Sequence, residues 1–149
     1  MKRTILLLVV GTVLGITAGV AQSNTLIDQI LEQKKVGYSY AAYLVLAAAK
    51  IIPDTSTPEQ ALEALAKQDW GVKVPDSATS ISLGQYSYLL MKAFDIPGGI
   101  MYQLLPGPRY AAREIAYLGF IQNNPSPYRS ISGEEALQIL NNLLSWKEE

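Results

Sequence analysis

Apolar side chains recur at intervals of three and four residues near the C-terminal end of the chain, where the sequence reads SISGEEALQILNNLL over 130–144. This spacing places the apolar residues on one face of an α-helix. The stretch SISLGQYSYLLMKAF over 80–94 opens with the same three letters and has the same apolar spacing. The pattern therefore predicts two helices, each with one buried face.

Polar residues three positions apart mark the start of these helices. In a capping box, a Ser or Thr oxygen accepts a hydrogen bond from the backbone N–H three residues on. The Glu or Gln at that third position accepts one from the N–H of the capping residue. Three pairs fit this pattern: Ser82 with Gln85, Ser132 with Glu135, and Thr57 with Gln60. Ser39 is expected to cap a further helix over 40–50.

The two helices that begin at SIS also share what precedes them. Offset by 70 positions, YAAYLVLAAAKI over 40–51 aligns without gaps with YAAREIAYLGFI over 110–121. We therefore predict a helix–loop–helix repeat that is used twice, over about 39–95 and about 108–146, with an extra helix inserted in the first copy. The alternative is that amphipathic helices that begin at Ser converge on similar sequences.

The predicted fold class is all-α. No segment alternates apolar and polar residues as a half-buried strand would. By length, residues 22–149 form one small helical domain that is long enough to bury a core.

The N-terminus has the order of a secretory signal peptide. Lys2 and Arg3 precede a long apolar run, which ends in the small residues of GVA before polar QSN. We expect cleavage after Ala21 and a location in the periplasm or cell envelope. The alternative is an uncleaved anchor, since the run approaches the ~20 residues that a spanning helix needs. The chain has no Cys to carry a lipid.

Composition narrows the possible chemistry. The chain has neither His nor Cys, which excludes Ser-His-Asp and Cys-His nucleophile systems and the usual zinc ligands. No cofactor is implied. Without Lys2 and Arg3, ten basic residues stand against thirteen acidic ones. That balance predicts no general attraction to nucleic acid or anionic lipid, so membrane contact is expected only through an uncleaved leader.

The second predicted unit resembles an S-layer homology repeat. The stretch AAREIAYLGFI and the later SISGEEALQILNNLL are similar to that family's Leu-Gly-Ile-Ile helix, loop and Thr-Arg-Ala-Glu helix start, over about 35 residues. The resemblance implies a module that anchors proteins to cell-wall glycopolymers. The Arg that is a principal ligand contact in the family is replaced by Leu83 and Gly133, and its Glu by Gln85 or Glu135. The stretch over 98–121 also resembles spirochaetal envelope proteins.

Arginine and tyrosine supply the candidate binding residues. Arg109, Arg113 and Tyr117 lie four residues apart and share one helix face, and Tyr128 and Arg129 lie in the loop that follows. Arg suits carboxylate or phosphate groups, and Tyr offers a flat face to a sugar. The alternative is an ordinary solvated helix face. The other tyrosines, which cluster at 38–43 and 86–88, are expected in the core rather than on a binding surface.

These observations predict a non-catalytic envelope module that binds an anionic cell-wall glycan or another envelope protein. The alternative is a small glycan-cleaving enzyme that uses carboxylates. Glu134 and Glu135 are adjacent, but a glycosidase needs two carboxylates that face each other across the substrate. Capping and the helix dipole already explain both residues.

Overall fold

In a computed structural model of the protein, residues 24–149 are described, and they contain seven α-helices and no β-strand. The predicted all-α class is confirmed. The predicted leader lies outside the described residues. Within 24–149, no helix has both the length and the apolar character needed to cross a membrane. The helices are α1 over 24–31, α2 Tyr38–Ala48, α3 Pro58–Ala66, α4 Leu83–Ala93, α5 Ile100–Leu104, α6 Pro108–Tyr117 and α7 Gly133–Glu148.

The core is built around α2 and α4. The sequence of α2, YSYAAYLVLAA, is apolar on nearly every side, and such a helix has to be enclosed by its neighbours. It packs against α3, α4 and α7, while α4 packs most extensively against α6. The α4 side chains Tyr86, Leu89, Leu90 and Met91 are almost completely buried.

The starts of α2, α4 and α7 meet in the interior. Val36, Ile81 and Ile131 each lie one residue before a helix cap, and each is at most 1 % exposed. The Val36 N–H donates to the Ile131 carbonyl at 2.9 Å, and the Ile81 N–H donates to the Val36 carbonyl at 3.0 Å. We call these three residues, with the backbone that joins them, the helix-start junction.

The first amide of each of these helices also bonds across the junction. Such amides have no partner within their own helix. Tyr38 N–H donates to the Thr79 carbonyl before α4, and Leu83 N–H donates to the Arg129 carbonyl before α7, both at 2.8 Å. Gly133 N–H donates to the Gln33 carbonyl before α2 at 2.9 Å. The three bonds form a closed cycle that satisfies amides which would otherwise be orphaned.

Most of the predicted caps are confirmed. Ser82 with Gln85 and Thr57 with Gln60 form complete capping boxes. Ser132 accepts from the Glu135 N–H at 3.1 Å as predicted.

Two details of the predicted capping are wrong. The Glu135 side chain does not return to the Ser132 amide, because it pairs with Arg129 instead. Ser39 does not cap α2: that helix begins at Tyr38, with Gly37 as its N-cap. The bond from Tyr38 N–H to Thr79 satisfies the first amide without a side-chain cap, so Ser39 is left in the buried first turn.

Two glycines allow close approach at the junction. A Cβ on Gly133 would lie 1.6 Å from the carbonyl oxygen of Ile30, so the end of α1 rests directly on the start of α7. A Cβ on Gly84 would lie 2.9 Å from the carbonyl oxygens of both Pro108 and Pro127. Any larger residue at either position would force backbone apart.

The predicted repeat stays a prediction. Its first copy would contain α2, α3 and α4, and its second copy α6 and α7. The first helix of the second copy, α6, packs chiefly on α4 of the first. The two predicted units are therefore interlocked rather than separate bodies.

Equivalent caps in the two units should contribute equally to stability. Ser82→Ala and Ser132→Ala should each lower the free energy of unfolding by ~1 kcal/mol, the usual value of such a cap. The first Ser of each SIS gives a matched control: Ser80→Ala and Ser130→Ala should change it by less than ~0.5 kcal/mol. Urea unfolding measures all four variants. A loss at one cap and none at the other would argue against a shared unit.

Candidate functional site

Arg109, Arg113 and Tyr117 lie together on the outer face of α6, as the sequence predicts. All three side chains are exposed, and Tyr117 is 88 % accessible. Within residues 24–149, neither arginine forms an ion pair, although Arg109 lies 5.9 Å from the ring centre of Tyr110. Two cations are thus presented to solvent without a counter-charge.

Arg129 has a different environment from the other two arginines. Its guanidinium pairs with both carboxylate oxygens of Glu135 and donates to the carbonyls of Asn124 and Ser130. The hydrogen bond to Glu135 raises the pKa of Arg129 further above its ordinary value. These bonds indicate that Arg129 stabilises the loop before α7. Tyr128 beside it is 79 % exposed. The free cations of the predicted set are therefore Arg109 and Arg113.

A cleft of about 250 Å³ opens beside the start of α6. It lies where the starts of α2 and α4 meet the loop over 71–73 and the connection from α5 to α6. We call it the tyrosine cleft. Its lining consists of two tyrosines, a glutamine, a lysine and a wall of small and apolar residues: Tyr38, Tyr88, Gln85, Lys73, Gly71, Val72, Pro106, Gly107 and Pro108.

Several polar groups of the cleft have no hydrogen-bond or ion-pair partner within the described residues. Tyr38 is 1 % exposed, and its hydroxyl has no hydrogen-bond partner within the described residues. Burial raises the pKa of Tyr38 to about 12. A tyrosine hydroxyl is protonated at neutral pH even at its ordinary pKa of about 10, so this one can donate a hydrogen bond. Gln85 accepts from the Ser82 N–H at 2.9 Å through Oε1, which leaves its NH2 group available. Lys73 is exposed and forms no ion pair within 24–149.

Tyr38 lines the tyrosine cleft although only 1 % of the residue is exposed. In the described part of the chain, Ser87 Oγ is the one fully enclosed side-chain polar atom that lacks a partner. The unpartnered Tyr38 hydroxyl is therefore not sealed off, and the cleft is the space that this residue lines. Tyr88, by contrast, is fixed, because its hydroxyl donates to the Trp70 carbonyl at 2.8 Å. The arrangement suits a small ligand with both polar groups and a flat apolar surface.

A second hollow, of about 220 Å³, lies at the start of α7 and is lined mainly by polar residues that include Glu134 and Glu135. Glu135 already pairs with Arg129. The neighbouring Glu134 starts the same helix, so the two carboxylates do not face each other across a substrate-sized gap. In the described part of the chain, no group of three or more acidic residues forms a potential metal site.

The positions that directly follow the Ser82 and Ser132 caps are closed, and both are positions that the predicted resemblance to S-layer homology repeats singles out. The family's ligand-binding Arg would stand at Gly133, where even a Cβ would collide with the Ile30 carbonyl. At the other position, Leu83 is fully buried in the core. Neither site leaves room for an arginine that reaches a ligand.

No family model, curated protein or solved structure matches the chain. The resemblance to S-layer homology repeats therefore stays a prediction.

The tyrosine cleft is not evident from the sequence. The apolar spacing predicts Tyr38 and Tyr88 in the core, and both are indeed at least 91 % buried. A residue of this kind can line a cleft with one atom while the rest of its side chain packs. The chain has nine tyrosines and only two phenylalanines. This excess of tyrosine is the one sequence signal that indicated hydroxyl groups with a role in binding.

Tyr86 and Tyr38 are the two most buried tyrosines, and removal of their hydroxyls should have different effects on stability. The Tyr86 hydroxyl donates to the Ala136 carbonyl at 2.8 Å in the core, so Tyr86→Phe should lower the free energy of unfolding by about 1 kcal/mol or more. Tyr38→Phe should change it by less than ~0.5 kcal/mol, because no protein bond is lost. Urea unfolding compares the two. Equal losses would mean that the Tyr38 hydroxyl has a protein partner and is not free for a ligand.

Proposed function

We propose that this protein is a non-catalytic helical module of the cell envelope that binds an anionic cell-wall glycan. The observation that carries the proposal is that two features are adjacent on the surface. Pro108 lines the tyrosine cleft, and the next residue, Arg109, begins the exposed cationic face of α6. A pocket with unused hydrogen-bonding groups therefore adjoins two unpaired arginines.

Each part suits a different portion of such a polymer. A cleft of about 250 Å³ lies just below the range typical of drug-sized ligands, and that size fits a single sugar ring. The Tyr38 hydroxyl, the Gln85 NH2 group and the Lys73 ammonium offer donors to sugar hydroxyls and acidic groups. Arg109 and Arg113 lie on the neighbouring face, where each planar guanidinium can bind carboxylate or phosphate with two hydrogen bonds.

The proposal includes export to the periplasm or envelope, which rests on the predicted leader. The second candidate is an envelope protein as partner, supported by the exposed Tyr117 at the far end of the same face, since tyrosine is enriched at protein interfaces. We favour the glycan because a protein interface has no need of a cleft that is lined by a tyrosine with an unpartnered hydroxyl.

The α6 face is tested by reversing its charge. Arg109→Glu with Arg113→Glu should leave stability within ~0.5 kcal/mol per site, because both side chains are exposed. Co-sedimentation of the exported protein with purified peptidoglycan sacculi should weaken by on the order of tenfold, since each exposed charge contact contributes up to ~1 kcal/mol. Binding of the unaltered protein should also fall as salt rises.

Lys34→Glu with Lys35→Glu is the matched control, since it makes the same charge change at two exposed lysines before α2. It should leave sedimentation near that of the unaltered protein.

Tyr38→Phe tests the cleft separately and should weaken binding roughly two- to tenfold, the value of one hydrogen bond. If the arginine variant and the unaltered protein sediment equally at low and high salt, the α6 face is not the site.

A further inference from the structure

We propose that α5 is a membrane-contact element that inserts its apolar face into an anionic lipid surface. The surface lies outside the tyrosine cleft, and the inference does not depend on the glycan proposal. It also goes beyond the expectation that only an uncleaved leader would meet the membrane.

The outward face of α5 is aliphatic. Ile100, Met101, Leu104 and Leu105 are 76 %, 46 %, 70 % and 58 % exposed. Ile100 and Leu104 are four residues apart and share one face of the helix. Met101 flanks that face, and Leu105 follows directly after the last helical residue. Large apolar side chains exposed next to one another mark sites of contact with a membrane or a partner, whereas single exposed residues need no explanation.

The same helix is firmly attached to the protein on its other side. Tyr102 is 6 % exposed and packs against Tyr88, with ring centres 6.3 Å apart. The Gln103 side chain donates to the Gly98 carbonyl at 3.1 Å, which closes the turn that leads into α5. The packing of Tyr102 against Tyr88 thus fixes the orientation of α5, in which the aliphatic side chains point away from the core.

Cations border this face. Lys92 lies 5.6 Å from the centre of the same Tyr88 ring that Tyr102 contacts, and α6, which packs on α5, carries Arg109 and Arg113. No ion pair uses any of the three within the described residues. Glu114 lies against Gly99 at the start of α5, and Asp95 follows α4. Three cations against these two carboxylates leave a net charge of about +1 in a protein whose net charge is -1.

The chemistry of the patch favours lipid over protein as its occupant. Protein interfaces are rich in aromatic residues and carry about one hydrogen bond per 100–200 Å². The exposed side chains of α5 are apolar except for Gln103, whose amide already donates to the Gly98 carbonyl. Apolar side chains next to arginine and lysine are the combination by which proteins enter the headgroup region of anionic bilayers. In α5 the apolar groups come from the helix, and the cations come from its neighbours α4 and α6. Negative headgroups match the unpaired cations.

A site-specific fluorophore tests the insertion. Because the chain has no cysteine, Leu104→Cys accepts a single polarity-sensitive label such as nitrobenzoxadiazole, and Glu59→Cys on exposed α3 provides the control position. With vesicles of phosphatidylglycerol mixed with phosphatidylcholine, the label at 104 should brighten and shift to the blue, while the label at 59 should not. This difference holds whether or not the leader is retained, since both proteins carry the same leader.

Two variant pairs separate the apolar and electrostatic contributions. Ile100→Ser with Leu104→Ser should weaken vesicle binding at least roughly tenfold, while its co-sedimentation with sacculi stays unchanged. Arg109→Gln with Arg113→Gln should weaken the response of the label at 104 by roughly 30-fold, and phosphatidylcholine vesicles alone should give a similarly weak response. A label at 104 that responds no more than the label at 59 would overturn the proposal and leave the face to a protein partner.

Discussion

The fold depends on backbone hydrogen bonds that join three helix starts far apart in the sequence. The first amides of α2, α4 and α7 each donate to the segment before the next helix, in a closed cycle. Buried amides without partners cost about 1–3 kcal/mol each, so the three segments are stable only together. The side chains of Val36, Ile81 and Ile131 fill the space between them and exclude water from these bonds.

The proposed binding surfaces follow from this arrangement. The junction fixes where α2 and α4 begin, and the tyrosine cleft lies at those two starts, with Tyr38 from one and Gln85 from the other. Gly84 lets the Pro108 carbonyl approach α4 closely, which sets the position of α6 and its arginines. Backbone contacts thereby help to position a site to which four chain segments contribute.

Features governed by local sequence were predictable, and features that need distant partners were not. The caps at Ser82 and Thr57 depend on residues three positions apart, and they form as expected. Glu135 had two acceptable partners, the Ser132 amide and a cation, and only the folded loop brings Arg129 within reach. The start of α2 has no Ser to reveal it, because Thr79, 41 positions away, accepts its first amide bond. The tyrosine cleft escaped prediction for the same reason.

Amide hydrogen exchange tests the helix-start junction most directly. Amides at the first turn of a helix normally exchange quickly, because they lack an intrahelical acceptor. We expect the amides of Val36, Ile81 and Leu83 to exchange as slowly as those in the middle of α4, with free energies of opening close to that of global unfolding. Exchange of these amides at the rate of exposed loop amides, such as that of Asn123, would contradict the account.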